Sequence, residues 1–263
     1  MFVTNGKEIN YKQKGGLKVK GTEYILKTCE ILKEAWNSQR EVLDLAAKII
    51  SDTMVSGKTV YIFGCSHAGI LAEEVFYRTG GLATVNPIQF PGFMLDTRPI
   101  TMTSQLERLP GLGKILIDQY KLVKDDLLLI HSVSGRNTVP VEMALESRIR
   151  GTKTLCITSV EYSRSVTSRH ESGKRLFEVC DLIIDNGGVP GDAVVSLPGL
   201  SERMGPTSTT VGCALLNSLL IETVELLISR GETPPVFMSA NLDGGDQHNE
   251  KMFEQYKDQI KYT

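Results

Sequence analysis

The chain has 263 residues, of which 41% are hydrophobic, so it is long enough and apolar enough to bury a core. Its 29 basic and 31 acidic residues give a formal charge of −2, and without a basic excess nucleic acid is a poor partner. No apolar run reaches the roughly 18 to 20 residues of a membrane span, and residues 1–16 are polar. We therefore expect a cytoplasmic protein without a membrane partner.

The first quarter of the chain predicts a leader followed by helices. Residues 1–20 are rich in Lys and Gly, which is typical of a flexible leader. Residues 22–57 have apolar side chains at helical spacing, and Gly57 is a typical helix end. We expect one domain over 21–263, made of this helical part, a sheet part at 58–231 and a C-terminal tail at 232–263.

From residue 58 onwards, short apolar runs alternate with helical stretches. The predicted strands are Val60–Phe63, Leu82–Pro87, Asp126–Ser132, Lys153–Ser159 and Asp181–Asp185, and the predicted helices between them are 67–79, 111–123 and 139–150. Strand runs without polar alternation, separated by helices, predict a parallel sheet covered on both faces. The fold class is thus α/β, with a doubly wound, five-stranded parallel sheet.

Two further helices are predicted near the C-terminus. Leucines and valines recur at helical spacing over Thr209–Arg230, which predicts one long helix. The segment 234–246 contains Pro-Pro and Asp-Gly-Gly and is typical of irregular chain. A last, polar helix is expected over 249–260.

Doubly wound sheets bind ligands at the carboxyl ends of their strands, so the segments after the predicted strands are the candidate sites. The first turn, Gly64–Gly69, contains Ser66 and His67 and precedes a helix. Helix starts bind anions through free N–H groups. A purely structural strand-to-helix turn would look the same, however, so this signal is weak by itself.

The second turn, Ser132–Thr138, is richer in hydrogen-bonding side chains. It contains Ser132, Ser134, Asn137 and Thr138 around a glycine, and a proline follows just inside the next helix. A helix cap needs only one such side chain, so the surplus favours a ligand over a cap. Because the chain has no GxxxxGK pattern, we expect a neutral phosphate site rather than a lysine-containing one.

The third turn, Gly205–Thr210, leads into the long helix. Ser208 and Thr209 are its candidate ligand-binding residues. A simple Ser or Thr cap explains this turn equally well.

Together the three turns resemble the SIS (sugar isomerase) domain family over about residues 40–230. That family has a GxGxS-like turn, an S-x-S-G-x-T/S turn and a Ser/Thr-rich entry to its last helix. Ser132-Val-Ser-Gly-Arg-Asn137 is close to the second pattern, with Asn137 in place of Thr or Ser. In the first turn Ala68 stands at the family serine, and Ser66 is the hydroxyl nearby. The resemblance implies a flavodoxin-like sheet and a phosphorylated sugar as ligand.

The resemblance also implies Glu and His as acid–base catalysts, without a metal or organic cofactor. The candidates are Glu73 on the helix after the first turn, His67 within that turn, and His248 in the acidic tail. His131 is expected to be a satisfied, partly buried residue, and His170 to lie in an exposed loop.

Three functions stay open. The first is a phosphosugar isomerase. The second is a non-catalytic sugar-phosphate sensor, for which a protein partner would be needed because no helix-turn-helix pattern is evident. The third is an etherase or lyase acting on an amino-sugar phosphate, although the catalytic Glu of the etherases falls near Arg78 here. Asp243, Asp246, His248 and Glu250 are possible metal ligands, but their spacing matches no metal motif, so no metal is expected. The resemblance implies a homodimer or homotetramer.

Overall fold

The computed structural model describes residues 19–263. Most of the predicted leader, 1–20, lies outside the described residues, and Lys20 already belongs to the first helix. Helices α1 (Lys20–Ser38) and α2 (Arg40–Val55) form the predicted helical part. Gly57 follows α2 with a φ of 71°, the left-handed conformation that glycine adopts after helix ends.

Five parallel strands form the central sheet in the order β2-β1-β3-β4-β5. Their bounds are β1 Val60–Gly64, β2 Val85–Pro87, β3 Leu127–His131, β4 Lys153–Thr158 and β5 Leu182–Asp185. The strand order reverses direction between β1 and β3, which makes this pair the topological switch point. The predicted doubly wound sheet is confirmed.

The remaining elements connect and cover these strands. They are α3 (Ile70–Val75), α4 (Thr101–Leu106), α5 (Leu112–Gln119), α6 (Thr138–Ile149), α7 (Val160–Arg164), the antiparallel pair β6 (Ala193–Val195) and β7 (Met204–Pro206), α8 (Ser208–Ser229) and α9 (Gly245–Gln255). A 3-10 turn at Ser66–Gly69 precedes α3.

Each face of the sheet has its own core, because neighbouring strand residues point to opposite sides. Ile62 of β1 and Leu129 of β3 pack against α2, α3 and α8. Phe63 and Ile130, the next residues along these strands, pack against α5 and α6. The absence of polar alternation in the strands therefore has the predicted cause, since both faces are buried.

The long helix α8 belongs to the first of these cores. By length and composition α8 is apolar enough to cross a membrane, although the sequence analysis found no apolar run of that length. However, Val211, Leu215 and Leu219 are buried against the sheet and the N-terminal helices. This burial accounts for the apolar character of α8.

Helix bounds differ from the prediction where residues adopt left-handed backbone. The predicted helix 67–79 ends at Val75, because Phe76 is extended and Tyr77 has a φ of 39°. The predicted helix 111–123 ends at Gln119, shortly before Lys121 with a φ of 53°. The last helix starts at Gly245 rather than at residue 249, directly after the left-handed Gly244.

The C-terminal tail packs at the amino edge of the sheet. Val236 forms an isolated antiparallel β-bridge with Leu82, which precedes β2. The Tyr262 hydroxyl donates to the carbonyl of Ala83 at 2.7 Å. Phe237 and Met252 complete a small third core there. The tail thus lies at the end of the sheet opposite to the carboxyl ends of the strands.

Candidate functional site

The first and second turns begin side by side at the switch point. Gly64, the last residue of β1, is the register partner of His131, the last residue of β3. The chain then leaves the sheet through the first turn on one strand and through the second turn on the other. The structure therefore brings together the two segments in which the sequence predicts most of the ligand contacts.

The carbonyl groups of the second turn are bonded to the protein behind it. The Thr158 hydroxyl donates to the Ser132 carbonyl and the Ser163 hydroxyl to the Ser134 carbonyl, each at 2.7 Å. The Leu176 N–H donates to the Gly135 carbonyl at 2.8 Å. The acceptors of this turn are therefore used within the fold.

The donors of the same turn are free. Within residues 19–263, the N–H groups of 133–138 donate to no acceptor, and the hydroxyls of Ser132 and Ser134 have no hydrogen-bond partner. These N–H groups lead into the N-terminus of α6, whose macrodipole also favours an anion. We call the free donors of residues 132–138 the anion cradle, because such clusters of backbone N–H groups bind phosphate.

Glycine is required within the anion cradle. Gly135 has a φ of 57°, and a side-chain carbon at this position would lie 3.0 Å from the Ser163 hydroxyl. The left-handed backbone aims consecutive N–H groups in one direction, as anion-binding turns do. The left-handed backbone and the lack of space for a side chain therefore both explain the glycine of the predicted motif.

Two predicted ligands of the second turn also contact the segment that crosses in front of it. The Arg169 guanidinium donates to the Asn137 side-chain oxygen at 2.6 Å, and the Thr138 hydroxyl donates to the Arg169 carbonyl at 3.2 Å. Asn137 keeps its amide NH2 for other partners, while the Thr138 hydroxyl is engaged. Thr138 is thus a weaker ligand candidate than the serines.

The first turn is tight and strained. Ser66 has a φ of 52°, an uncommon value for a serine, and such strain concentrates at functional sites. A side chain at Gly64 would collide with the Ala68 carbonyl, so only glycine fits there. The side chain of His67 is exposed, and the Ser66 hydroxyl has no partner in the described part of the chain. Both remain available to a ligand beside the anion cradle.

His131, the last residue of β3, links the second turn to the first through a hydrogen bond. Its side chain is completely buried, and its Nδ1 bonds the Ala68 carbonyl at 2.9 Å. Burial lowers the pKa of His131 to about 4, so the imidazole is neutral and Nδ1 donates the proton. Its Nε2 has no hydrogen-bond partner within residues 19–263 and faces Gly212 of α8. The expected satisfied histidine is therefore satisfied at one nitrogen only.

The third turn carries an internal anion. The Asp192 carboxylate accepts from the N–H groups of Thr207 at 3.1 Å and Ser208 at 2.8 Å, and from the Ser208 hydroxyl at 2.6 Å. Asp192 thus occupies the position at the start of α8 where an anion would bind. Ser208 has a structural partner, and Thr209, half-buried in the next position, is the freer of the two predicted ligands.

Two of the three predicted catalytic residues, His67 and Glu73, lie at or directly after the first turn, and His248 does not. Glu73 is exposed and lines a small cavity with Gly64 and Gly69, the two ends of the first turn. Its neighbour Glu74 is engaged by Arg78 and by the Asn217 amide at 3.0 Å. His248 bonds the Val236 carbonyl at 2.9 Å, at the amino edge of the sheet. Within one chain, the structure therefore does not bring His248 to the anion cradle.

One acidic residue that the sequence analysis did not select, Glu107, is hydrogen-bonded through its backbone to the start of α6. Glu107 follows α4, and its carbonyl accepts the N–H of Val139 in the first turn of α6 at 3.0 Å. Burial raises the pKa of Glu107, while Arg108, the Asn137 side chain and Arg169 oppose that rise. Its sequence context, Gln-Leu-Glu-Arg-Leu, is that of an ordinary helix end, so only the tertiary structure reveals its position.

Arginines surround Glu107 and Asn137. Burial lowers the pKa of Arg169, and the charges of Arg108 and Arg136 lower it further. None of these arginines forms an ion pair within the described chain. The surroundings of the cradle are therefore positively charged, although its own donors are neutral.

A separate cleft of about 690 Å³ lies beside the edge strand β5, between α1 and the loop after that strand. Its lining has four carboxylates against two cations and no residue of the anion cradle: Glu30, Glu34, Glu161 and Asp185, with Lys27 and Arg203. Carboxylates repel phosphate. The free donors of the cradle, rather than the size of this cleft, therefore locate the candidate site.

No cysteine or metal chemistry is evident at the switch point. Burial raises the pKa of the Cys65 thiol, and the Glu107 carboxylate raises it further, so the thiol stays protonated. Within residues 19–263, no three His, Cys, Asp or Glu side chains come together as a metal site needs.

Comparison with known proteins agrees with this geometry. Residues 23–159 match the SIS domain family. The chain is 49% identical over 240 residues to UPF0309 protein OB3413 of Oceanobacillus iheyensis, covering 91% of this chain and 98% of the relative. It is 50% identical over 240 residues to UPF0309 protein ABC0887 of Shouchella clausii, with the same coverage of 91% and 98%.

Among solved structures, a phosphoheptose isomerase from Francisella tularensis has a similar fold. Its TM-score is 0.52 at 14% sequence identity, over 78% of this chain and 97% of that one. This likeness concerns the fold alone, whereas the match over residues 23–159 and the relatives at about half identity identify the family. The chain belongs to the SIS domain family.

Proposed function

We propose that the protein binds a phosphorylated sugar, with the phosphate in the anion cradle. The observation that carries this proposal is the row of unpaired N–H groups at 133–138 beside the free hydroxyls of Ser132 and Ser134. Buried or partly buried donors rarely stay unpaired unless a ligand or water accepts from them. Membership of the SIS domain family supports a sugar phosphate as that ligand.

We further propose that the protein interconverts an aldose phosphate and a ketose phosphate. This reaction needs a base that moves a proton between adjacent carbons and an acid that helps to open the ring. The exposed His67 beside the cradle is suited to the second role, and the carboxylates near the switch point are suited to the first. No part of this scheme requires a cofactor.

A two-step experiment tests the proposal. A thermal-shift screen against sugar phosphates of different length and stereochemistry first finds the ligand, because a ligand of the native state raises its apparent stability. The hits are then incubated in heavy water, and deuterium entering at C2 is followed by NMR. Exchange supports an isomerase, saturable binding without exchange supports the sensor, and lactate release from an amino-sugar phosphate supports the etherase.

The anion cradle itself is tested with Ser132→Ala combined with Ser134→Ala. Hydrogen bonds to a charged group contribute about 1.5–3 kcal/mol each. We therefore expect the double variant to bind the phosphosugar at least tenfold more weakly, as measured by calorimetry. Ser229→Ala, at the distant end of α8, is the matched control. Unchanged affinity in the double variant would show that the phosphate does not bind at this turn.

We also propose a homo-oligomer in the cytoplasm. Ile25 and Leu26 on α1 are 58% and 65% exposed, which is unusual for adjacent large apolar residues on a helix. A second copy of the chain would cover them. Sedimentation velocity of the full chain tests for a dimer or a tetramer.

A further inference from the structure

Two arginine side chains flank the anion cradle, and hydrogen bonds hold both of them in place. The Arg136 guanidinium donates through Nε to the Thr167 carbonyl at 2.9 Å and through Nη2 to the Thr167 hydroxyl at 3.2 Å. The Arg169 guanidinium donates through Nη1 to the Asn137 side-chain oxygen at 2.6 Å. The backbones of the two arginines are also joined, since the Arg169 N–H donates to the Arg136 carbonyl at 2.8 Å. Both side chains are therefore anchored at the second half of the cradle.

Each of these guanidinium groups keeps donors that no protein atom accepts from. Within residues 19–263, Nε and Nη2 of Arg169 and Nη1 of Arg136 have no hydrogen-bond partner. In Arg169 the two free nitrogens form one edge of the guanidinium plane, and such an edge binds two oxygens of a carboxylate or phosphate side by side. Neither arginine forms an ion pair in the described part of the chain.

Holding these charges together is unfavourable unless an anion binds between them. Ordering a long arginine side chain costs rotamer entropy, and like charges held close repel each other. Burial lowers the pKa of Arg169, and the charges of Arg108 and Arg136 lower it further. The acidic neighbour Glu107 raises that pKa, but by less than either of the two arginines lowers it. A bound anion would remove the repulsion that Glu107 leaves uncompensated.

The phosphate of the proposed ligand does not need these two arginines. The cradle already offers it the six free N–H groups of 133–138 and the free hydroxyls of Ser132 and Ser134. A terminal phosphate has three strongly accepting oxygens, so the donors of the cradle already outnumber them. The guanidinium groups of Arg136 and Arg169 are therefore left for a different anionic group.

We infer, on the basis of the proposed function, that the ligand is a sugar phosphate with a second anionic group, which Arg136 and Arg169 bind beside the cradle. This second group is a carboxylate or another phosphate, because both present paired oxygens to the edge of a guanidinium group. A sugar with one phosphate leaves both arginines unpaired and therefore binds less tightly. The site thus selects its substrate class by charge as well as by shape.

Ligands that differ only at C1 test the second anionic group. Glucitol 6-phosphate, 6-phosphogluconate and glucitol 1,6-bisphosphate have one carbon skeleton, with a hydroxyl, a carboxylate and a phosphate at that end. The same series is made on any other skeleton that the thermal-shift screen selects. We expect at least one doubly anionic member to bind the wild-type full chain roughly tenfold more tightly or better, as measured by calorimetry, since hydrogen bonds between charged groups have that effect. The carboxylate and the bisphosphate show which group fits.

Arginine variants test which side chains bind that group. In Arg136→Gln and in Arg169→Gln, the ratio between the affinities for the doubly and the singly anionic ligand should fall to about threefold or less. Arg169→Lys keeps the charge but loses the paired donors, so it should retain only part of the ratio. Arg203→Gln is the matched control, because it removes a positive charge from the separate cleft beside β5, which shares no residue with the cradle. It should keep the whole ratio.

The ratio of two affinities is measured within one protein, so partial unfolding of a variant cancels from it. Equal affinities for the three ligands in the wild type overturn the second anionic group and leave phosphosugar binding intact. A ratio that persists in Arg136→Gln and Arg169→Gln, or that Arg203→Gln also loses, overturns the assignment to these two arginines. Failure of every phosphorylated ligand to bind, together with a blank thermal-shift screen, overturns the proposed function itself.

Discussion

At the scale of single residues, buried His131 makes the stability of the protein depend on pH. The imidazole titrates near 6.5 in an unfolded chain, but burial lowers its pKa to about 4 in the native state. Between these values the unfolded chain binds a proton that the native state does not. Stability is therefore complete above pH 6.5 and falls as the pH drops towards 4, by up to about 3 kcal/mol.

His131→Asn tests this dependence. The asparagine amide can still donate to the Ala68 carbonyl, but it does not titrate. We expect the free energy of unfolding in urea to fall more for the wild type than for the variant between pH 7.5 and pH 5. The other titrating groups are common to both proteins, so they do not affect this difference. Parallel losses would contradict the assignment of the pH dependence to His131.

The sequence predicted the anion cradle because its chemistry is local. Ser132, Ser134 and a glycine lie within four positions after an apolar strand, and their donors act together through the backbone of that one turn. Glu107 was missed for the opposite reason. It is 25 or more residues from either serine, and only a backbone hydrogen bond from Val139, at the start of α6, brings it close to the second turn. His248 lies in a polar tail that packs at the other end of the sheet, so its predicted role cannot be fulfilled within one chain.

At the scale of elements, Asp192 caps the start of α8. The carboxylate caps two N–H groups and the Ser208 hydroxyl. We expect Asp192→Ala to lower the free energy of unfolding by about 1–2 kcal/mol, since it removes the cap. Asp192→Asn should cost less, because an amide oxygen still accepts and asparagine tolerates the φ of 65°.

Ser208→Ala is the companion test at the same helix start. It should reduce stability while leaving phosphosugar affinity at the wild-type level, in contrast to the serines of the anion cradle. Unfolding in urea and calorimetric titration measure the two effects separately. Weaker ligand binding by Ser208→Ala would return the third turn to the binding site that the sequence predicts.

The elements themselves were predictable where burial sets the pattern. All five strands were found because both faces of the sheet are covered, so each strand is an apolar run. Helix ends were less certain, since Tyr77 and Lys121 adopt left-handed backbone that their residue types do not favour. The β6–β7 pair was missed because it has only three residues in each strand, too few for a pattern.

At the scale of the whole molecule, the location of His248 permits a catalytic role only across a subunit boundary. One chain places it at the amino edge of the sheet, bonded to the Val236 carbonyl. If it acts on a neighbouring cradle, His248→Ala and the double variant Ser132→Ala with Ser134→Ala should each be inactive. Mixed oligomers of the two should regain part of the activity, because one subunit supplies the cradle and the other the histidine.

This complementation is measured as C2 exchange after the two variant chains are unfolded together and refolded. Each variant refolded alone is the control. An active His248→Ala homo-oligomer would show that His248 is structural. Deleting residues 240–263 is a poorer test, because it also removes Met252 and Ile260 from the third core.

The packing around Gly212 constrains how this chain can change over evolutionary time. A side-chain carbon at residue 212 would lie 3.0 Å from Leu71 and 3.6 Å from the His131 Nε2 atom. An alanine at 212 would therefore need a small shift of Leu71, whereas its contact with the histidine would be an ordinary van der Waals contact. Positions 212 and 71 should therefore vary together among relatives, while the bond that joins the two turns should depend on His131 alone.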